Sequence, residues 1–136
     1  MILALIVFTY LSGLGLVISA VWSLRPEVHL KMVNPAARVD LESLAAKSPD
    51  VRSAFAFLSG HGSSQMFGLN LFALHVLWLP FRHLEPWAWI LMWFYPIMFV
   101  WHYLSYTKKT QLSYAQIAYF VLSAASLLVS RTSFWP

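Results

Sequence analysis

Pro86 to Thr107 reads PWAWILMWFYPIMFVWHYLSYT, 22 residues without an Asp, Glu, Lys or Arg. A bilayer core of about 30 Å needs about 20 residues of helix, and a charge at its centre costs a few kcal/mol. A charge-free stretch of this length therefore fits a transmembrane helix. Thr110 to Ser130, Ser53 to Phe81 and Met1 to Leu24 are equally free of charge, and every charged residue lies outside these four windows. Backbone groups in hydrocarbon must pair within their own segment, so the spans are helices, and the windows are too long and too continuously apolar for barrel strands. The sequence predicts an all-α integral membrane protein, a single four-helix transmembrane bundle over residues 1–136. Its helices fall near 2–24, 53–81, 86–107 and 110–130, with a short amphipathic connection at 25–52.

Composition agrees. The chain is 60% hydrophobic and 10% charged, against about 25% charged residues in an ordinary soluble domain. Its 17% aromatic content includes seven Trp, whose rings settle at the headgroup level of a bilayer. The net charge of +4 comes with no basic run interleaved with aromatics in a soluble segment, so nucleic acid is not an expected partner. No Cys is present, which excludes disulfides, thiolate metal sites and Cys nucleophiles. A cleaved signal peptide over the first window is disfavoured, because Met1-Ile2-Leu3-Ala4 lacks a positive leader and the apolar run is long.

Asn34-Pro35 and Ser48-Pro49 each put a capping side chain ahead of a proline, predicting short helices that start there. Between them Ala37, Leu41, Leu44 and Ala45 share one helical face, while Arg38, Asp40, Glu42 and Lys47 occupy others. The segment reads as one that lies on the membrane surface. Arg25, Lys31, Arg38, Lys47 and Arg52 in the first connection join Lys108 and Lys109 on one side of the bilayer, against Arg82 and Arg131 on the other. By the positive-inside rule, 25–52 and 108–109 are cytoplasmic and both termini are outside.

Helices associate in lipid through close backbone approach and interhelical hydrogen bonds, so small residues at helical spacing mark packing faces. Helix one offers Ser12, Gly15 and Ser19; helix two Gly60, Ser64 and Gly68; helix four Gln116, Tyr119, Ser123, Ser126 and Ser130. Helix three differs. Trp87, Trp89, Trp93 and Trp101, with Phe and Tyr between them, make it bulky nearly all round, and Pro96 predicts a kink in its middle. Such a helix faces lipid with aromatic belts at its ends, docks on other subunits, or lines a site for a flat hydrophobic ligand.

Acidic residues are absent from every window, which argues against proton- or cation-coupled transport. No nucleophile motif, phosphate loop or paired carboxylates point to catalysis, and no metal cluster is expected. His61 and His102 are placed at similar depth near the cytoplasmic surface and could face one another. His61 sits between Gly60 and Gly62, with Gln65 one turn on. Imidazole is a common axial ligand of haem iron, so His61, His102 and Gln65 are the candidate residues for a haem or another tetrapyrrole. The alternative is that both histidines serve as neutral hydrogen-bonding partners. His75 and Asn70 read as interhelical polar contacts, His83 as a headgroup-level residue, and His29 as a loop residue without an evident partner.

The run Phe81-Arg82-His83-Leu84-Glu85-Pro86-Trp87-Ala88-Trp89, followed by Pro96, resembles a pattern in small DoxX-like membrane proteins of bacteria. The resemblance spans about a third of the chain and lacks the Gly usual in that turn. It implies a four-helix bundle in a bacterial inner membrane and carries over no catalytic residue. Taken together, the readings point to a non-catalytic accessory subunit of a larger membrane complex, held by the aromatic third helix and by the cytoplasmic connection. The alternatives are a binding protein for haem, a chlorophyll-type pigment or a quinone, and a small lipid or solute transporter.

Overall fold

The computed structural model describes residues 1–106 and 108–135. Among them the chain is helical, with no strand: α1 Ile2–Leu24, α2 Pro26–Val33, α3 Leu41–Lys47, α4 Pro49–Val76, α5 Pro86–Met92, α6 Phe94–Ser105 and α7 Gln111–Phe134. The all-helical expectation holds. Two helices, α1 and α7, are long and apolar enough to cross a membrane. Helix α4 is longer still at 28 residues, but its Ser, Gly, His and Gln content dilutes its hydropathy. The aromatic segment predicted as one helix is divided into α5 and α6, and its expected last residue, Thr107, lies outside the described residues.

Prolines set the breaks. Pro26 ends α1 and occupies the first position of α2, where a missing N–H costs nothing. In the aromatic segment the interruption falls at Trp93, whose N–H turns to the carbonyl of Ile90 at 3.2 Å. Pro96 is the cause. It has no N–H for the carbonyl of Met92, four residues back, and its ring crowds that carbonyl, so the helix yields one turn ahead of the proline. Pro80 acts alike at the end of α4. There the chain widens into a π-type turn over Leu77–Phe81, with the Arg82 N–H reaching the carbonyl of Leu77 at 3.1 Å. Leu84 closes this turn at φ +62°, the position where a Gly would avoid a cost of about 1 kcal/mol.

The first connection is ordered by side-chain caps. Asp40 caps α3 by accepting the Ser43 N–H at 3.1 Å, and that bond holds its carboxyl below the ordinary range. Contrary to the expectation, Asn34 does not cap the turn that follows it. Its Oδ1 reaches forward to accept the Leu41 N–H at 2.7 Å, tying the turn Asn34–Ala36 to the start of α3. Ser48 accepts the Val51 N–H at 3.4 Å, and the helix it caps runs on without interruption into α4. The start predicted at Ser53 therefore lies four residues inside the helix.

α1 lies along α4 and α7, and α6 along α7. The tightest packing is at the end that holds the termini and the turn at 77–85. There Ala4, Phe8, Leu77, Phe81, Met92 and Leu127 are each fully buried, and Phe81 packs on Phe134 at 4.8 Å. At the opposite end the Lys108 N–H donates to the carbonyl of Ala36 at 3.2 Å, joining the two predicted cytoplasmic connections. One half of the molecule is solid, and the other holds a cavity.

Candidate functional site: a cavity between α1, α4, α6 and α7

The floor of the cavity is a chain of hydrogen bonds across three helices. Tyr95 on α6 has one hydroxyl proton, which it donates to Asn70 Oδ1 on α4 at 3.0 Å; Ser12 on α1 therefore donates to the Tyr95 oxygen. Asn70 Nδ2 donates in turn to the Met66 carbonyl at 2.8 Å. All three side chains are buried, so each must be satisfied within the protein. Gly15 makes room for this. A Cβ there would lie 2.4 Å from Asn70 Oδ1, so the glycine permits the approach of α4 to α1.

Above this floor lies a cavity of about 550 Å³, in the size range of small-molecule sites. Leu11, Leu14 and Ile18 from α1, Met66 from α4 and Met98 and Phe99 from α6 form its apolar walls. Among the described residues no Asp, Glu, Lys or Arg lines it. From Asn70 it follows α4 back to Leu58, twelve residues on the sequence and about 18 Å along the axis. Two of its lining residues have buried oxygens without a partner, Ser63 Oγ and Gln116 Oε1. Buried polar atoms in a protein are nearly always hydrogen-bonded, which marks these two as groups that a bound molecule or water would satisfy.

The short helix α2 folds over the other end. Pro26 has no N–H for the carbonyl of Trp22, four residues earlier. The Ser59 hydroxyl supplies the missing donor at 3.3 Å, fixing α1 to α4. Ser59 Oγ is also 2.7 Å from His29 Nδ1. With the Ser59 proton directed to Trp22, His29 must donate from Nδ1, so Nε2 carries the free lone pair. The imidazole stacks on Trp22 at 4.0 Å, with ring planes 10° apart. Burial holds His29 below the ordinary histidine range, favouring the neutral ring.

The expected pairing of His61 with His102 is not formed. His102 lines the cavity, but His61 is on the exposed outer face of α4. There it accepts a hydrogen bond from Gln65 Nε2 at 3.1 Å and stacks beside Phe57. The histidine that joins His102 around the cavity is His29, whose Ser59 partner could not be read from a connection and a span 30 residues apart. The inner face of α4 is likewise corrected. Ser59, Ser63 and Asn70 are buried, while Ser64 and Gly68 are exposed and Gly60 is half-buried. A Cβ on Gly60 or Gly68 would meet nothing within 4 Å. On α7, Ser123, Ser126 and Ser130 are buried; all three donate to carbonyls of their own helix, Ser126 to that of Ser123 at 2.9 Å.

The tryptophans divide. Trp87 and Trp101 face outward, and Trp93 is half-buried. Trp89 turns inward, its indole N–H donating to the Leu127 carbonyl of α7 at 3.0 Å, so the assignment of all four to lipid or partner contact is corrected for Trp89. His75 donates to the Leu71 carbonyl of its own helix at 2.9 Å and makes no interhelical bond among the described residues. No group of three or more His, Asp or Glu able to hold a metal ion occurs among the described residues. Comparisons with protein-family models, curated proteins and solved structures return no match, so the resemblance of Phe81–Trp89 to DoxX-like proteins gains no support from them.

Proposed function

We propose that this chain is a four-span membrane protein whose interior cavity binds an uncharged hydrophobic small molecule. The observation that carries the reading is the cavity itself. It is long, apolar and free of charged side chains, and it holds the unpartnered oxygens of Ser63 and Gln116. Binding a charged ligand there would leave its charge unpaired at low dielectric, a cost of several kcal/mol, so an uncharged amphiphile is the class that fits. The membrane setting is supported by the apolar side chains on outer faces, among them Ile6, Ile97, Trp101 and Val129, each more than half exposed. A soluble protein rarely presents so much apolar surface. The bond from Lys108 to Ala36 at one end and the contact of Phe81 with Phe134 at the other support four crossings with both termini on one side.

The test is to purify the protein in mild detergent, extract it with organic solvent and identify retained compounds by mass spectrometry. Gly62 lines the cavity and a Cβ there meets nothing within 4 Å, so Gly62→Trp should fill the space and displace the compound. An identical extract from both proteins would refute the reading. A visible spectrum of the same sample reports on the tetrapyrrole alternative, because a haem or chlorophyll-type pigment would give a Soret or pigment band.

A role as an accessory subunit, in a bacterial inner membrane or elsewhere, is favoured by a separate observation, the outward set of Trp87 and Trp101 on α5 and α6. Large aromatics of this kind anchor protein contacts. Loss of a co-purifying membrane subunit on Trp101→Ala would support it.

A further inference from the structure

We infer that the cavity's ligand presents a hydroxyl-bearing ring, as in a reduced isoprenoid quinone, with the hydroxyl donating to Nε2 of His29 and the tail running toward Asn70. The inference rests on the binding function proposed above and names the chemistry of its ligand. Its basis is the direction of the hydrogen bonds. Pro26 orphans the Trp22 carbonyl, Ser59 serves that carbonyl, and His29 therefore spends its proton on Ser59. The remaining imidazole nitrogen can only accept. Gln116 Oε1, buried and without a partner, is a second acceptor on the same cavity. A molecule that offers only carbonyl oxygens can serve the Ser63 hydroxyl but neither of these acceptors, whereas a hydroxyl can donate to them and still accept from Ser63.

The walls specify the rest. Beside His29 the surface is flat, with Trp22 stacked on the imidazole; Phe99 and Tyr119, ring centroids 5.4 Å apart, carry the aromatic wall on toward Tyr95, whose ring lies 6.0 Å from that of Phe99. Aromatic faces suit a ring. Toward the floor, Leu11, Leu14, Met66 and Met98 join them; thioether side chains adapt to an irregular alkyl tail. His29 lies outside the charge-free windows and the floor lies within them, so the polar head would sit at the membrane surface and the tail in its interior.

The experiment is anaerobic calorimetric titration of the purified full chain in detergent with decylubiquinol, decylubiquinone and 1-decanol. The quinol should bind about tenfold more tightly than the quinone, the worth of one hydrogen bond, and more tightly than the alcohol, which has no ring. His29→Phe keeps an aromatic ring against Trp22 but has no lone pair, so it should remove the preference for quinol. Equal affinities for quinol and quinone in the unaltered protein would overturn the hydroxyl assignment, and this comparison needs no variant to fold. Decanol binding as tightly as the quinol would overturn the ring. In either case, loss of binding in Gly62→Trp would show that the cavity still holds a ligand. If no probe binds, the binding function itself falls.

Discussion

Gly15 is the residue on which the cavity floor depends. A methyl group at that position would overlap Asn70 Oδ1 at 2.4 Å, pushing away the acceptor that satisfies the Tyr95 hydroxyl. Gly15→Ala should therefore destabilise the protein by about 1–3 kcal/mol, by overpacking and by orphaning a buried hydroxyl. Thermal unfolding in detergent would show it, and Gly13→Ala is the control, since a Cβ at Gly13 meets nothing within 4 Å. Equal effects of the two would contradict the close approach of α1 and α4. His29 gives a pH dependence whose sign is set by its burial. Its folded pKa is lowered, so its contribution is fully present above the ordinary histidine pKa of about 6.5 and is lost as pH falls below that value toward the folded pKa. Asp40 is also lowered, but it acts in the carboxylate range near pH 4, so a scan from about pH 7.5 to 5 leaves it out, and comparison with His29→Phe separates His29 from the other four histidines. The melting temperature should fall over this window in the unaltered protein and fall less in His29→Phe; parallel curves would assign the loss to other groups.

At the scale of the element, the helices lie close to where the charge-free windows predict them, because a long apolar run without charge is a local property readable from one segment. The faces they turn to one another are not local. Gly60, Ser64 and Gly68 form a stripe of small residues, but so do Ser59 and Ser63 on the adjoining face. What selects the second stripe is the meeting of Ser59 with a carbonyl orphaned by Pro26, and of Asn70 with Gly15, each a contact between distant segments. The pairing of His61 with His102 failed for the same reason, since depth could be read from the windows but rotation about the axis could not. Pro96 shows the converse. Its effect was legible, yet the break falls at Trp93 because the clash is with the preceding turn. The assignment of faces can be tested by size. Gly68→Leu, on the exposed face of α4, should leave stability unchanged or raise it by up to about 1 kcal/mol, because a helix-interior glycine is replaced by a good helix former, whereas Ser123→Leu, at a fully buried position, should cost about 1–3 kcal/mol. Reversal of that order would return Gly60, Ser64 and Gly68 to the inner face.

For the whole molecule, the division into a solid half and a hollow half follows from where large and small residues fall along the helices. Phe8, Leu77, Phe81, Met92 and Phe134 fill the end near the termini. Glycine and serine on α1 and α4, facing the aromatic α6, leave the opposite half unfilled, and α2 closes over it. If the molecule crosses the bilayer four times as proposed, the hollow half with its Lys- and Arg-rich connections faces the cytoplasm. That orientation is open to direct measurement because the chain contains no Cys. Ser43→Cys on α3 and His83→Cys in the turn after α4 each introduce a single thiol, the first half-buried and the second exposed, at opposite ends of the long helix. A membrane-impermeant maleimide applied to intact cells should label His83→Cys and spare Ser43→Cys, and permeabilisation should expose the latter. The reverse pattern would invert the orientation while keeping four spans. Labelling of both sites in intact cells would rule out α4 as a crossing helix, and the cavity would then need an explanation outside the membrane.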